Sequence, residues 1–431
     1  MKDKYYITNK SIIVHQTHKN NCTLYDVLGN TIQTTMDKLE KDFNLIITFQ
    51  IKITEPLNIS KLSTILTQFS KSLFMMYDEK SSYAILLDNM IKDIQFIELL
   101  SYQYFIEEKI DKKHESYFEF MSNIHFTKED GKISADEFKN ILDDFKDKVS
   151  LNTLNGLLFY THLQIVFQFV KNEMEHAEYR LKETSSLMFN LLYNKKDELE
   201  INIDKKAHSQ DVDAIGYAIE DTIKAMVSAL DGMSKLLNLF KSIKNRPKKV
   251  HVPNVLHEKL TNYRGFKNNN PYINPLEEKY KELKLIISLR NDITHNKSFH
   301  AIRQTTFIGQ KTPSVNNYNL AYTDVLMWDY KKNNYFKTSY EFSNFYTEEN
   351  NIVPFLHNSF KKVYEIFTDS IKIMKHDIIY LCKSNSKLDT SNLATEFTYQ
   401  EFISDSNKFN VSHVLILDSL NKQKFNYSDI S

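Results

Sequence analysis

From residue 57 to residue 246 the chain contains no proline, and only Gly131, Gly156, Gly216 and Gly232 interrupt that run. Proline and glycine are the main punctuation of secondary structure, so so long a stretch without them reads as mostly helix. Inside it, apolar residues recur at three- and four-residue spacing, which lays one greasy stripe along each helix. Leu62, Ile65, Leu66 and Phe69 make a short stripe, and Leu86, Leu87, Met90, Ile91, Ile94 and Ile97 make a second. Leu154, Leu158, His162, Ile165, Val166, Phe169 and Val170 open a longer helix extending past Leu187, and Ile215 to Phe240 carries the next. Beyond the run, Phe360, Val363, Phe367, Ile371, Met374, Ile378 and Leu381 predict a long closing helix.

The flanks carry a different period. Tyr5 to Val14 holds two short β-branched and aromatic runs. Leu45, Ile47, Phe49, Ile51 and Ile53 alternate with their neighbours until Pro56, the signature of a half-buried strand. Residues 298–345 are rich in Tyr, Asn and Thr and read as an insertion with β character, and Val414 to Leu417 is an apolar run suited to one more strand. The expected fold class is therefore mainly α. It consists of an antiparallel helical bundle with an N-terminal α+β region and a β-containing insertion. The expected domains are an α+β region at 1–148 to which the residues assign no sensing or partner role, a helical domain at 149–386 with its insertion at 298–345, and a tail at 387–431 with one strand.

Composition narrows the partners. Formal net charge is zero, so no global field draws the chain to nucleic acid, and any such binding must be local. Cys22 and Cys382 are the only cysteines, which suits a reducing compartment rather than a disulfide framework. The start MKDKYYITNK has no apolar core of a signal peptide, and the greasiest run, Leu157 to Val170, is broken by Thr161, His162, Gln164 and Gln168. A cytoplasmic protein without membrane association is expected.

The densest chemistry lies between Pro275 and Asn296, PLEEKYKELKLIISLRNDITHN. Pro275 suits a first helical turn and Glu277 and Glu278 suit its positive end. Tyr280, Leu283, Ile286 and Ile287 form an apolar stripe whose next position is Arg290. An arginine there must lose solvation or meet a partner. Asn291 and His295 stand four apart, so with Arg290 and Thr294 they gather a polar corner at the end of a greasy helix. Arginine is a marked choice here, with 5 against 50 lysines. An arginine followed by a histidine five positions on should arise roughly 0.2 times by accident in such a composition. It arises twice, but Arg246–His251 has Pro247 after its arginine, which breaks a helix there and marks a basic loop.

Arg290, Asn291 and His295 resemble the R-x4–6-H signature of the HEPN superfamily, whose common form has a polar residue directly after the arginine. The resemblance covers the motif and, loosely, the helical segments from about 150 to 385. It implies a HEPN-like helical domain at 149–386, a two-fold dimer that brings two motifs into one cleft, and RNA cleavage without a metal. Lys297 stands where some HEPN toxins carry a tyrosine, a departure from the subgroup silenced by modification of that residue.

The chemistry of the side chains agrees with that implication. An imidazole with a pKa near ~6.5 exchanges the proton of a ribose 2′-hydroxyl at neutral pH, and a guanidinium holds the phosphate as charge gathers. Asn291 can orient either group. The bland alternative is an arginine bound to C-terminal carbonyls with a histidine favouring the helix dipole. Upstream, residues 241–270 hold eight Lys or Arg and the single acid Glu258, interleaved with His251, His257, Tyr263 and Phe266. Arg246, Lys248, Lys249, Arg264 and Lys267 are the expected RNA-backbone contacts, with stacked bases between them; a solvated basic loop is the alternative.

Other candidates weigh less. Asp130 to Glu137 resembles half of a calcium-binding EF-hand loop, but Phe126 and Lys128 stand where the first two carboxylates belong. His176 among Glu173, Glu175 and Glu178 reads as a solvated acidic face, and Gly309-Gln-Lys-Thr lacks the upstream glycine of a phosphate loop. No metal and no cofactor are expected. The expected function is a metal-independent endoribonuclease, a toxin or anti-phage defence effector, with RNA, a second copy and an antitoxin or regulatory protein as partners. The alternative is a non-catalytic HEPN-like scaffold or antitoxin-type binding module.

Overall fold

A computed structural model of the chain describes residues 4–51, 74–76, 92–94, 97, 151–208, 210–239, 279, 283–295, 304–311, 319–332, 340–342 and 346–383. The chain forms two compact units, each discontinuous in sequence. One comprises Met1–Asp88, Glu173–Ser228 and Lys281–Tyr364; the other comprises Asn89–Asn172, Ala229–Tyr280 and Glu365–Ser431.

Every described strand belongs to the first unit. β1 (Lys4–Thr8), β2 (Ile13–Gln16), β3 (Asn21–Tyr25), β4 (Thr31–Thr35), β5 (Ile47–Ile51) and β6 (Phe74–Met76) form a sheet in the order β4-β3-β2-β1-β5-β6, antiparallel throughout. Its turns are written in the sequence. Ser11 takes a left-handed φ of 60° while the Thr8 N–H donates to the Ile12 carbonyl at 3.0 Å. At the β3–β4 turn the Asp26 carboxylate accepts the N–H groups of Leu28 and Asn30, both at 2.9 Å, and Gly29 supplies the φ of +85°. A short helix α1 (Leu39–Phe43) ends on left-handed Asn44 and returns the chain into β5.

A second antiparallel sheet forms late in the chain. β8 (Gln304–Lys311) and β9 (Leu320–Met327) pair along their full length, with the two-residue β7 (Lys205–Lys206) on the outer edge of β8. β10 (Tyr330–Lys332) pairs with β11 (Tyr340–Phe342). Leu320 and Tyr322 of β9 enter one core with Tyr6, Ile12, Val14, Cys22, Leu24 and Ile32 of the first sheet. Polar links repeat the join. The Asp26 carboxylate accepts the Ala321 N–H at 2.9 Å, and Lys10 pairs with Asp324 at 3.2 Å. The Thr323 hydroxyl donates to the Met188 carbonyl at 3.1 Å, tying β9 to the helix behind it.

The long helices are α2 (Leu151–Asn194), α3 (Gln210–Leu239), α4 (Lys284–His295) and α5 (Ile352–Lys383). Asn351 starts α5 by accepting the Val353 N–H at 2.9 Å, and Pro354 falls in the first turn, where no N–H is needed. Phe360, Val363, Phe367, Ile371 and Met374 are all buried, so the stripe expected for the closing helix is core face that far, and the side chains of Ile378 and Leu381 lie outside the described residues. In the second unit, an ideal Cβ on Gly232 of α3 would stand 2.4 Å from Val170 of α2, so the absent side chain lets the two helices touch. Lys279 and Lys375 pair there with Asp369 and Asp93, each at 2.7 Å.

The mainly α, antiparallel HEPN-like bundle expected from the sequence is therefore corrected. The described residues carry eleven strands beside the helices, too much strand for an all-helical bundle. A six-stranded and a three-stranded antiparallel sheet build the first unit's core, which makes the chain α+β. The physical reason is burial on the sheet. Strands β8 and β9 pair along their length, and Leu320 and Tyr322 of β9 are 4% exposed, filling a face that the first sheet cannot bury alone. Strands β3 and β4 were too short and too polar on one face to announce themselves by period alone.

Gly309 marks where this assembly is tight. It sits opposite Tyr322 in the β8–β9 register, and an added Cβ would lie 2.7 Å from an Asp204 carboxylate oxygen and 3.0 Å from the Tyr322 hydroxyl. Those two groups are hydrogen-bonded to each other. Gly309→Ala should therefore cost about 1–3 kcal/mol by crowding that bond. Urea denaturation should show a lower midpoint at unchanged slope; an unshifted midpoint would count against the packing described.

Candidate functional site

α4 reaches His295, so the helix persists through the whole motif. Leu283, Leu285, Ile286, Ile287, Leu289 and Ile293 are buried, a wider apolar arc than the stripe Leu283–Ile286–Ile287 requires. Arg290 and Asn291 lie at its border and are half-buried, while Thr294 is exposed. Arg290 is thus placed between core and solvent rather than wholly within the stripe. Its charge keeps a route to water while its stem packs.

Hydrogen bonds fix this corner. The Arg290 guanidinium donates from Nη1 to the Asn291 side-chain oxygen at 3.0 Å. The Thr294 hydroxyl donates to the Arg290 carbonyl at 2.8 Å, one turn back. His295 closes the helix one turn beyond Asn291. The backbone therefore brings Arg290, Asn291 and His295 to one helix end, while their oriented partners are Arg290 and Asn291. A planar fork held by a neighbouring amide is suited to an oxyanion because less of its freedom remains to be lost.

Arg246, Lys248, Lys249, Arg264 and Lys267 lie outside the described residues, as do the Asp130–Glu137 loop and the Val414–Leu417 run. His176 is exposed, and burial holds the Glu173 carboxyl above its ordinary range while His176 pulls it down, which suits a face-sharing pair on α2. Among the described residues no three His, Cys, Asp or Glu side chains gather closely enough to hold a metal ion, and no helix is long and apolar enough to cross a membrane.

Two features escaped the sequence reading. His357 of α5 is 8% exposed, its ring edge-on to Phe49 at 4.5 Å, and among the described residues neither ring nitrogen has a hydrogen-bond partner. Burial drives its pKa down to about 3. Its place on the face with Val353, Phe360 and Tyr364 was the available signal. The second is a polar network around Tyr322. The Tyr322 hydroxyl donates to Asp204, and Asp324 receives both Lys10 and the Asn351 amide. Burial first, then the Asp204 bond and the nearby carboxylates, raise the Tyr322 pKa far above the ordinary phenol, so it stays a donor. These residues are 118 or more positions apart in the Asp204–Tyr322 case, and no local pattern joins them.

No family model matches the chain, and no curated protein or solved structure does.

Proposed function

We propose that the chain is a metal-independent endoribonuclease that uses Arg290, Asn291 and His295. The observation that carries this reading is the hydrogen-bonded Arg290–Asn291 pair at the end of a helix that runs unbroken to His295. The resemblance of these residues to the HEPN motif supports it and adds a dimer in which two motifs share one cleft. In the reaction, His295 takes the proton of a ribose 2′-hydroxyl as its oxygen bonds to phosphorus. The bond from phosphorus to the 5′-oxygen breaks, and that oxygen leaves with a proton, supplied in the shared cleft by the second motif's imidazole. Arg290 neutralises the charge on the non-bridging oxygens, and Asn291 holds the guanidinium in place. Arg246, Lys248, Lys249, Arg264 and Lys267 would hold the RNA backbone. A toxin or phage-defence effector, restrained by an antitoxin or regulatory protein, is the setting that the HEPN resemblance implies for such an activity.

The test is purified full-length chain with total RNA in excess EDTA, followed by end-group analysis. Fragments should carry 2′,3′-cyclic phosphates and 5′-hydroxyls, and DNA, which lacks the attacking hydroxyl, should survive. Cleavage that depends on magnesium, or that leaves 5′-phosphates, would overturn the mechanism. Sedimentation should report a dimer; a monomer that still cleaves removes the shared cleft and leaves the residue roles standing.

A further inference from the structure

The turn after β1, the end of α1, β9 and the start of α5 enclose a pocket of about 380 Å³ within the first unit. That is the range of small-molecule sites, and none of its lining residues lies on α4. Its floor is fixed. Lys10 and Asp324 are paired at 3.2 Å with side chains only 14% and 18% exposed, and Asn351 bonds Asp324 while capping α5. Two of its walls are left-handed residues other than glycine: Asn44 at φ 52° and Glu349 at φ 46°. Such conformations persist only where the surrounding structure holds them.

The lining chooses the ligand's charge. Three carboxylates, Asp42, Asp324 and Glu349, face two lysines, Lys10 and Lys41. Lys10 is already engaged by Asp324, and among the described residues neither Asp42 nor Glu349 is in an ion pair. The remaining field is negative and repels phosphate, while the carboxylates are acceptors for hydroxyl groups. Asn9 supplies the complementary donor. It is 2% exposed, its Oδ1 accepts the Ile46 N–H at 2.8 Å, and its amide nitrogen is left for the pocket that it lines. Phe43 and Pro354 add flat apolar wall.

We propose that this pocket binds an uncharged ribonucleoside, its vicinal hydroxyls on Asp42 or Glu349, its base carbonyl on Asn9 and its ring against Phe43. The diol fits a carboxylate acceptor, the flat carbonyl-bearing ring fits the amide and aromatic wall, and the absent phosphate fits the excess of acids. A ligand-sensing site of this kind is separate from the RNA-cleaving residues, so each fails or succeeds without the other.

The experiment is calorimetric titration of the full chain with guanosine, cytidine and uridine, each beside its 2′-deoxy and 5′-monophosphate forms. At least one ribonucleoside should bind at millimolar concentration or below. Its 2′-deoxy form should bind about 10-fold more weakly, because a hydrogen bond to a charged acceptor is lost. The 5′-monophosphate should also bind more weakly, and more so at low salt. The double variant Asp42→Asn/Glu349→Gln should lose affinity by about 10-fold or more while melting at the wild-type temperature, since both side chains reach the surface. Failure of all three ribonucleosides, tighter binding of the monophosphate, equal binding of the deoxy form, or unchanged affinity in the double variant each overturns the assignment.

Discussion

Replacing His295 with alanine should lower RNA cleavage by roughly 100- to 10,000-fold, the span expected when a general base is removed. Arg290→Ala should cost about 100- to 1,000-fold, as for loss of one group that stabilises transition-state charge. Arg290→Lys keeps the charge but loses the fork that bonds Asn291 at 3.0 Å, so it should restore only part of the rate. Melting temperature separates this reading from a scaffold or antitoxin-type module. Arg290 is half-buried, so a purely structural role would show as a large fall in stability in the alanine variant. Unchanged melting with lost cleavage supports chemistry. A melting temperature lowered by many degrees in both alanine variants, with no change in any RNA phenotype, would favour the scaffold.

A second large effect belongs to acid stability. His357 is buried and driven down to a pKa of about 3, against an ordinary value near 6.5. The unfolded chain therefore binds a proton at this residue over a pH range where the folded chain does not. The sign follows: stability is intact above about pH 6.5 and falls as pH drops toward 3, at up to about 1.4 kcal/mol per pH unit. His357→Leu removes that proton. Between pH 7.5 and pH 5 the variant should lose about 2 kcal/mol less than the wild type, measured by urea denaturation at both values. Comparing losses rather than absolute stabilities cancels any packing change against Phe49. Parallel losses in the two proteins would show that His357 takes up its proton without unfolding.

How much of this was legible in the residues depends on distance along the chain. The stripes on α2, α3 and α5 repeat every three or four residues, so burial of Val166, Ile219 and Phe367 could be read locally. The alternation Ile47–Phe49–Ile51 announced β5 in the same way. The fold class was not legible, because it turns on Leu320 and Tyr322 entering a core with Tyr6 and Leu24. Nothing local in residues 298–345 says which surface they cover. At the candidate site, the adjacency of Arg290 and Asn291 could be read directly, and their hydrogen bond needed only the helix. The pocket at Asn9, Asp42 and Glu349 could not be read, since segments far apart in the chain supply its polar groups.

The join between Asp26 and Ala321 spans 295 residues. A ribosome adding about 5–20 residues per second needs about 15–60 s to cover that interval. Throughout it, β1 to β4 exist without the strand that caps their core, with the face of Tyr6, Val14, Leu24 and Ile32 uncovered. Each nascent chain therefore carries a greasy sheet face that stays uncovered until β9 has emerged. The pocket that Lys10 and Asp324 help to line comes into being only after residues as far along the chain as Pro354 have emerged.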